Sequence, residues 1–153
     1  MVNTYTQIHI HLIFVVKYRQ SLIADSWKNE LYDYISGIIG NQGHKLLAIN
    51  GIEDHVHILI GMRPVQSLSD LTQDIKGDSS KWINKKKFLP TRFAWQESYG
   101  AFSYSKSHVH RVITYIQNQE KHHRKKDFIT EYKECLQKFE VEYNERFIFK
   151  PLI

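Results

Sequence analysis

Apolar residues in this chain change their spacing along the sequence, from every second residue to every third or fourth and back again. Alternation over residues 7–17 predicts a β-strand, and helical spacing after Asp25 predicts a helix that runs to about Ile39. The same reasoning predicts strands at 45–49, 54–60 and 92–105, and helices from about Ser67, Ser107 and Asp127. The order β-α-β-β-α-β, followed by C-terminal helices, predicts an α+β, ferredoxin-like fold. One antiparallel sheet would carry helices on one face and leave the other face open.

Turn and boundary signals add detail to this order. Asn50-Gly51 is the strongest hairpin signal in the chain and predicts the turn between the second and third strands. Ser67, Ser107 and Asp127 each stand where a helix N-cap is expected. Because no repeat, low-complexity tract or linker is visible, residues 1–153 are predicted to form one domain with a polar helical tail.

The distribution of charge is compatible with a nucleic acid as partner. The formal net charge is +5 and the pI is about 9.2, and basic residues concentrate in the runs 85–87 and 121–126. Five aromatic residues lie near the first run: Trp82, Trp95, Tyr99, Phe102 and Tyr104. Basic side chains neutralise phosphates and aromatic rings stack on unpaired bases, so the mixture suits a single-stranded nucleic acid. A solvated basic face beside ordinary core aromatics is the alternative, and composition alone favours it.

Signals for export and membrane insertion are missing from the sequence. The first apolar stretch, residues 8–16, is interrupted by His9 and His11 and has no basic lead-in. No run approaches the roughly 20 apolar residues that a membrane helix needs. A single cysteine, Cys135, cannot form an internal disulfide, which is typical of a reducing compartment. The sequence therefore predicts a cytoplasmic protein with no membrane partner.

Two histidines, His55 and His57, lie two residues apart in the third predicted strand. Residues two apart in a strand share a face, and the apolar residues beside them point to the other face. If that apolar set packs against the helices, both imidazoles face the open side of the sheet, where they could hold one divalent cation. Two further pairs have the same spacing, His9/His11 and His108/His110. The first has no evident third ligand and the second falls in a predicted helix, but a chance pair remains the competing interpretation.

The predicted helix after Ser107 carries a polar edge beside its apolar stripe. At about 100° per residue, Tyr115 and Gln119 lie one turn apart on the same flank, so their side chains meet, and Arg111 shares that flank. A tyrosine that half-covers the core beside a solvated glutamine is the simplest interpretation. The functional interpretation makes Tyr115 a nucleophile. A phenol with an ordinary pKa of about 10 attacks well only after proton removal or beside a cation.

Five segments stand in a distinctive order along the chain: 14–19, Asp54-His55-Val56-His57, 76–82, 95–100 and 115–119. Together they resemble the HUH single-tyrosine transposases of the insertion-sequence-200/605 type, which are close to the repeat-associated tyrosine transposases of bacteria. The resemblance covers about residues 4–125 and leaves 126–153 as a helical tail.

This resemblance implies a DNA transposase that cleaves and rejoins single-stranded DNA. His55, His57 and Gln119 would hold Mg²⁺ or Mn²⁺, and Tyr115 would attack a DNA phosphate to give a 5′-phosphotyrosine and a free 3′-hydroxyl. The implied partners are single-stranded DNA hairpins and a second copy of the chain, with the tyrosine helix of one subunit completing the histidine site of the other. A bacterial or archaeal nucleoid is the implied location. Predicted DNA contacts are Lys17, Arg19, Lys76, Ser79, Lys81 and Arg111.

Three alternatives stay open at this point. A ferredoxin-like sheet with basic runs and aromatics also suits a nucleic-acid-binding module without chemistry, although histidines stand where stacking rings are expected. A domesticated relative that nicks DNA without moving itself would have the same sequence features. A metal phosphoesterase for small molecules is disfavoured by the tyrosine nucleophile and the basic surface.

Overall fold

The computed structural model of the chain describes residues 4–123 and 127–143. Its elements are β1 (His9–Val15), α1 (Lys28–Asn41), β2 (Lys45–Ile52), β3 (His55–Gly61), α2 (Leu68–Lys86), β4 (Gly100–Tyr104), α3 (Lys106–Gln117), α4 (Gln119–His123) and α5 (Phe128–Lys138). The strands form one antiparallel sheet in the order β2-β3-β1-β4. The predicted α+β, ferredoxin-like fold is confirmed. None of the helices within the described ranges is long and apolar enough to cross a membrane.

The sheet face beneath α1 and α2 holds the main core. β1 contributes Leu12 and Phe14, and β3 contributes Val56, Ile58 and Ile60, all fully buried. The two helices supply the other side of this core with Leu31, Ile35, Ile39, Leu71 and Ile75. Each such side chain contributes about 1.5–3 kcal/mol through burial. These residues point away from His55 and His57, as the alternation within β3 predicted.

The opposite face of the sheet is not open, so that part of the prediction is wrong. α3 packs there against β2 and β3 in a cluster of Ala48, Leu59, Val109, Val112 and Ile116. α5 packs on β1 and β4 in a second cluster of Ile13, Val15, Phe102, Phe128 and Leu136. The sequence carried the signal in β1, because Ile13 and Val15 make its second face apolar. A strand that is apolar on both faces is generally covered on both.

The hairpin between β2 and β3 turns three residues later than predicted. The turn is at Glu53-Asp54, whereas Gly51 lies inside the ladder and pairs with Val56. Gly51 does not adopt the positive φ that a type I′ Asn-Gly turn requires. Gly51 allows the backbones of β2 and β3 to approach closely and is not part of the turn.

Two of the predicted helix caps are confirmed. The side chain of Ser67 accepts a hydrogen bond of 3.0 Å from the third backbone amide after it, and Asp127 does the same at the start of α5 over 2.8 Å. The cap predicted at Ser107 is wrong, because α3 begins two residues earlier, with Ser105 at the N-cap position. The cap at Asp127 fixes where α5 starts and therefore which of its side chains face the sheet.

Replacement of Gly51 by alanine is expected to destabilise the chain by about 3 kcal/mol. A Cβ at this position would lie 2.1 Å from the carbonyl oxygen of His55 and 2.9 Å from Cα of Val56, so the β2–β3 backbone must move. Urea unfolding measures the change. Gly37→Ala in α1 is the matched control, because its Cβ meets nothing within 4 Å and alanine favours the helix by about 0.5–1 kcal/mol. Equal stability of the two variants would contradict the proposed close approach.

Candidate metal centre and tyrosine site

His55 and His57 lie side by side on β3, with ring centroids 5.0 Å apart, and both are 0% exposed. The Nδ1 atom of each ring is already held. His55 Nδ1 donates to a carboxylate oxygen of Asp54 over 2.7 Å, and His57 Nδ1 lies 2.8 Å from Nε2 of His11. Because both Nδ1 atoms are engaged, both Nε2 atoms are left for the space between the sheet and the C-terminal helices.

Residues of α4 and α5 direct oxygen and nitrogen atoms that could bind a metal, here called donor atoms, into that space. Gln119 Oε1 lies 3.2 Å from His55 Nε2 and 3.1 Å from His123 Nε2. Glu131 Oε1 lies 3.2 Å from the Nε2 atoms of both His57 and His123 and 3.8 Å from His55 Nε2. The donor atoms of the three histidines and Glu131 all lie within 4.8 Å of one another. Ligands of a single cation are separated by distances of this kind.

The chemistry of these donors fits a divalent cation. The ring proton of His55 is committed to Asp54, so its Nε2 presents a lone pair towards the oxygens of Gln119 and Glu131. Three acceptors that face one another across a buried space repel, and a cation between them removes the repulsion. Imidazole, carboxylate and amide oxygen are all ordinary ligands of first-row divalent metals.

Protonation in the buried cluster also favours cation binding. Burial is the main reason that the pKa of His57 is lowered to about 4, so its ring is neutral. Burial likewise lowers the pKa of His11. Burial alone would raise the pKa of Glu131, but hydrogen bonds from His123 and His57 hold it well below its ordinary value. Neutral imidazoles around an ionised carboxylate are the protonation states that metal coordination requires.

Tyr115 reaches the same carboxylate from α3. Its hydroxyl donates to Oε2 of Glu131, and its half-buried ring meets the ring of His57 edge-on at a centroid distance of 5.6 Å. Burial first, and then the charge of Glu131, raises the pKa of Tyr115 above its ordinary value. The phenol is therefore protonated in the absence of a cation. Glu131 joins the nucleophile candidate to the metal-ligand candidates through its two oxygens.

The structure brings together all four residues predicted for the centre, within one chain: Tyr115, His55, His57 and Gln119. Their local setting differs from the prediction in one respect. Helix α3 ends at Gln117, and Gln119 begins the short helix α4 and is 0% exposed, so it is not a solvated side chain on the edge of one long helix. The break at Asn118 turns Gln119 inward towards His55.

Glu131 and His123 are two residues of the cluster that were not predicted from the sequence. His123 stood out only as part of the basic run 121–126. Glu131 lies one turn after the N-cap of α5, on the same buried stripe as Phe128 and Leu136. A carboxylate on the apolar stripe of an amphipathic helix is rarely buried without a partner, and that was the available signal. Phe128 adds to the enclosure, because its ring stacks on His55 at a centroid distance of 3.8 Å.

The residues predicted to contact DNA differ from one another in burial and in hydrogen-bond partners. Ser79 is 0% exposed and accepts a hydrogen bond from the indole of Trp95, so its hydroxyl is not presented to solvent in this structure. Lys76 is half-buried and donates to three consecutive backbone carbonyls of residues 96–98. Lys81 is exposed, and Arg19 lies 3.8 Å from Asp54. Lys17 is partly exposed and lies in the same turn as Arg19.

Arg111 lies in a different place, beside the tyrosine. A pocket of about 380 Å³ opens next to Tyr115, and Arg111, His108 and Lys138 line it together with Glu131. His122 of α4 also lines it, and Glu134 of α5 adds a second carboxylate. These residues line the same pocket as Tyr115, whose hydroxyl an incoming phosphate could approach from there.

Comparisons with known proteins identify a family and several similar chains. Residues 4–119 match the family described as "Transposase IS200 like". The ISDra2 transposase TnpA of Deinococcus radiodurans is 27% identical over 118 residues, covering 74% of this chain and 84% of that protein. A crystal structure of a candidate transposase from Deinococcus radiodurans superposes with a TM-score of 0.63 at 26% identity, over 78% of this chain and 95% of that one. A REP-associated tyrosine transposase bound to a REP hairpin has the same fold, with a TM-score of 0.57 at 13% identity over 77% and 70% of the two chains.

Proposed function

Since the chain belongs to the IS200-like transposase family, we propose that it cleaves and rejoins single-stranded DNA with Tyr115 as nucleophile and one divalent cation as cofactor. His55, His57 and Gln119 would hold the cation, together with His123 and Glu131. The observation that carries this proposal is the position of Glu131. One of its oxygens lies among the imidazole nitrogens, and the other accepts the hydrogen bond of the Tyr115 hydroxyl.

The reaction exchanges one phosphodiester bond for another. The phenolic oxygen of Tyr115 attacks a DNA phosphorus, the Tyr–O–P bond forms, and the bond from phosphorus to the 3′-oxygen breaks. The phenolic proton is lost and the leaving strand gains one as its 3′-hydroxyl. Resealing reverses these steps with another 3′-hydroxyl and needs no ATP, because an ester is exchanged for an ester. When bound, the cation supplies polarisation of a non-bridging phosphate oxygen and offsets the charge that develops there.

The residues around Tyr115 would guide the DNA strand. Arg111 and Lys138 line the pocket beside Tyr115 and offer positive charge there, which favours phosphate binding. His55 and His57 are fully buried and lie outside the lining of this pocket, so the phosphate would reach Tyr115 before these two histidines. We propose DNA hairpins as the substrate, since a fold relative is described in complex with a REP hairpin.

The donor set favours Mn²⁺ over Mg²⁺. Three of the five candidate ligands are imidazoles, whereas Mg²⁺ prefers oxygen ligands and keeps several of its waters. We therefore expect tighter binding and more product with Mn²⁺ at equal concentration.

The test of the proposed function is covalent trapping. The full chain is incubated with 5′- and 3′-labelled single-stranded hairpins drawn from the flanks of its own gene, with Mn²⁺, Mg²⁺ or EDTA, and is then denatured. We expect a protein–DNA adduct that carries only the label on the 3′ side of the cut, in Mn²⁺ and not in EDTA. Absence of an adduct with every hairpin would exclude the active nuclease and favour a binding module. An adduct that persists in EDTA would exclude the cation.

A further inference from the structure

His11 belongs to a histidine pair that the proposed reaction does not use. It lies on β1, next to β3, and is 1% exposed. Its Nε2 is 2.8 Å from Nδ1 of His57, and the two rings stack with centroids 5.0 Å apart and an interplanar angle of 28°. His11 is thus in direct hydrogen-bond contact with a candidate metal ligand while its own nitrogens do not reach the group of converging donors.

The rest of the His11 environment is mostly aromatic and offers its imidazole little polar contact. Within the described part of the chain, its Nδ1 is buried and has no hydrogen-bond partner. The rings of Phe102, Tyr104 and Tyr115 surround it at centroid distances of 6.1–6.4 Å. Two residues further along the same face of β1, Ile13 fills the equivalent position with an apolar side chain. Burial of a polar ring with one unpaired nitrogen costs folding free energy. This cost points to a role for the one polar contact of His11, which is with His57.

We propose that His11 is a positioning residue that prepares His57 for the cation. This inference rests on the proposed metal centre. A cation can bind Nε2 of His57 only when the ring proton is on Nδ1, and a proton there needs an acceptor. Nε2 of His11 lies within hydrogen-bond distance of that nitrogen and would accept the proton when His57 Nε2 binds the cation instead of donating to Glu131, which then sets the tautomer and the rotation of the His57 ring. Asp54 has the same relation to His55, so each ligand on β3 has its own orienting partner.

Two substitutions separate this role from packing. His11→Leu removes the acceptor and keeps an apolar volume, whereas His11→Gln retains an acceptor oxygen in a neutral side chain. His9→Leu is the matched control, because His9 lies on the same face of the same strand outside the cluster. Calorimetric titration of the full-length, metal-free chain with Mn²⁺ alone gives the affinity of each variant, and circular dichroism checks the fold.

We expect His11→Leu to weaken Mn²⁺ binding by about 10- to 100-fold, the usual range for partners that orient a metal ligand, with His11→Gln and His9→Leu within threefold of wild type. Wild-type affinity in His11→Leu, or equal weakening in the Leu and Gln variants, would overturn the inference. If His11→Leu does not fold, His11→Gln decides alone: near-wild-type affinity supports the role, and a loss of more than tenfold overturns it. Failure of the wild-type chain to bind Mn²⁺ would instead overturn the proposed metal centre, and the inference with it.

Discussion

Tyr115→Phe is expected to abolish the covalent DNA adduct completely. Phenylalanine keeps the ring that packs edge-on against His57 but removes the oxygen that would form the bond to phosphorus. Tyr115 is the tyrosine whose hydroxyl donates to Glu131 at the candidate centre. Because the hydroxyl is the nucleophile itself, the expected loss is to background, not by a modest factor.

Adduct formation on a labelled hairpin in Mn²⁺ measures this loss, with gel shift of the same DNA as a check on binding. Tyr34→Phe is the matched control, since Tyr34 lies on α1, across the sheet from Tyr115, and stacks on Trp82. It should form the adduct at the wild-type rate. An adduct that survives in Tyr115→Phe would show that another residue attacks. Retained DNA binding in that variant separates a chemical defect from a binding defect.

The same variant tests whether a second copy of the chain is needed. Here the tyrosine and the candidate ligands come together within one chain. A dimer with a shared site stays a prediction. If sites are shared, a mixture of Tyr115→Phe and His57→Ala chains regains adduct formation, because one composite site then has both wild-type residues. If each chain uses its own tyrosine, the mixture stays inactive.

Periodicity was enough to predict the order of strands and helices, because each strand and helix has a strong apolar pattern of its own. It could not locate the β2–β3 turn. The Asn50-Gly51 signal is local, whereas the register extends to Ile52 opposite His55 and uses Gly51 for close contact between strands. A turn signal is overridden when further cross-strand pairs form beyond it.

The candidate site was predictable to the extent that its residues share an element or a family motif. His55 and His57 are neighbours by strand parity, and Tyr115 and Gln119 are neighbours by helical spacing. Glu131 shares no element with any of them and lies beyond residues 4–119, which match the family. Its role depends on how α5 packs against β1 and β4. That packing is a tertiary contact between residues more than 70 positions apart from the histidines, and no local pattern encodes it.

Glu131→Gln is the second change for which we expect a large effect, because it separates the charge of this side chain from its shape. Glutamine fills the same space between α5 and β3 and can still accept the hydrogen bond of the Tyr115 hydroxyl. It removes the one carboxylate among the proposed ligands, and with it a formal negative charge that offsets a divalent cation there. We expect Mn²⁺ affinity to fall by about 100-fold or more, beyond the range for residues that merely orient a ligand. Adduct formation should fall with it and recover in part at high Mn²⁺.

Glu134→Gln is the control for this substitution. It makes the same chemical change one turn further along α5, on an exposed side chain outside the group of converging donors, and should leave Mn²⁺ affinity unchanged. Calorimetric titration compares the two variants. Unchanged affinity in Glu131→Gln would mean that Glu131 is not a ligand. An increase in adduct formation in Glu131→Gln would support a different role for this carboxylate. It would mean that the carboxylate, held among His57, His123 and the Tyr115 hydroxyl, blocks the site, and that α5 must leave the sheet before DNA is cleaved.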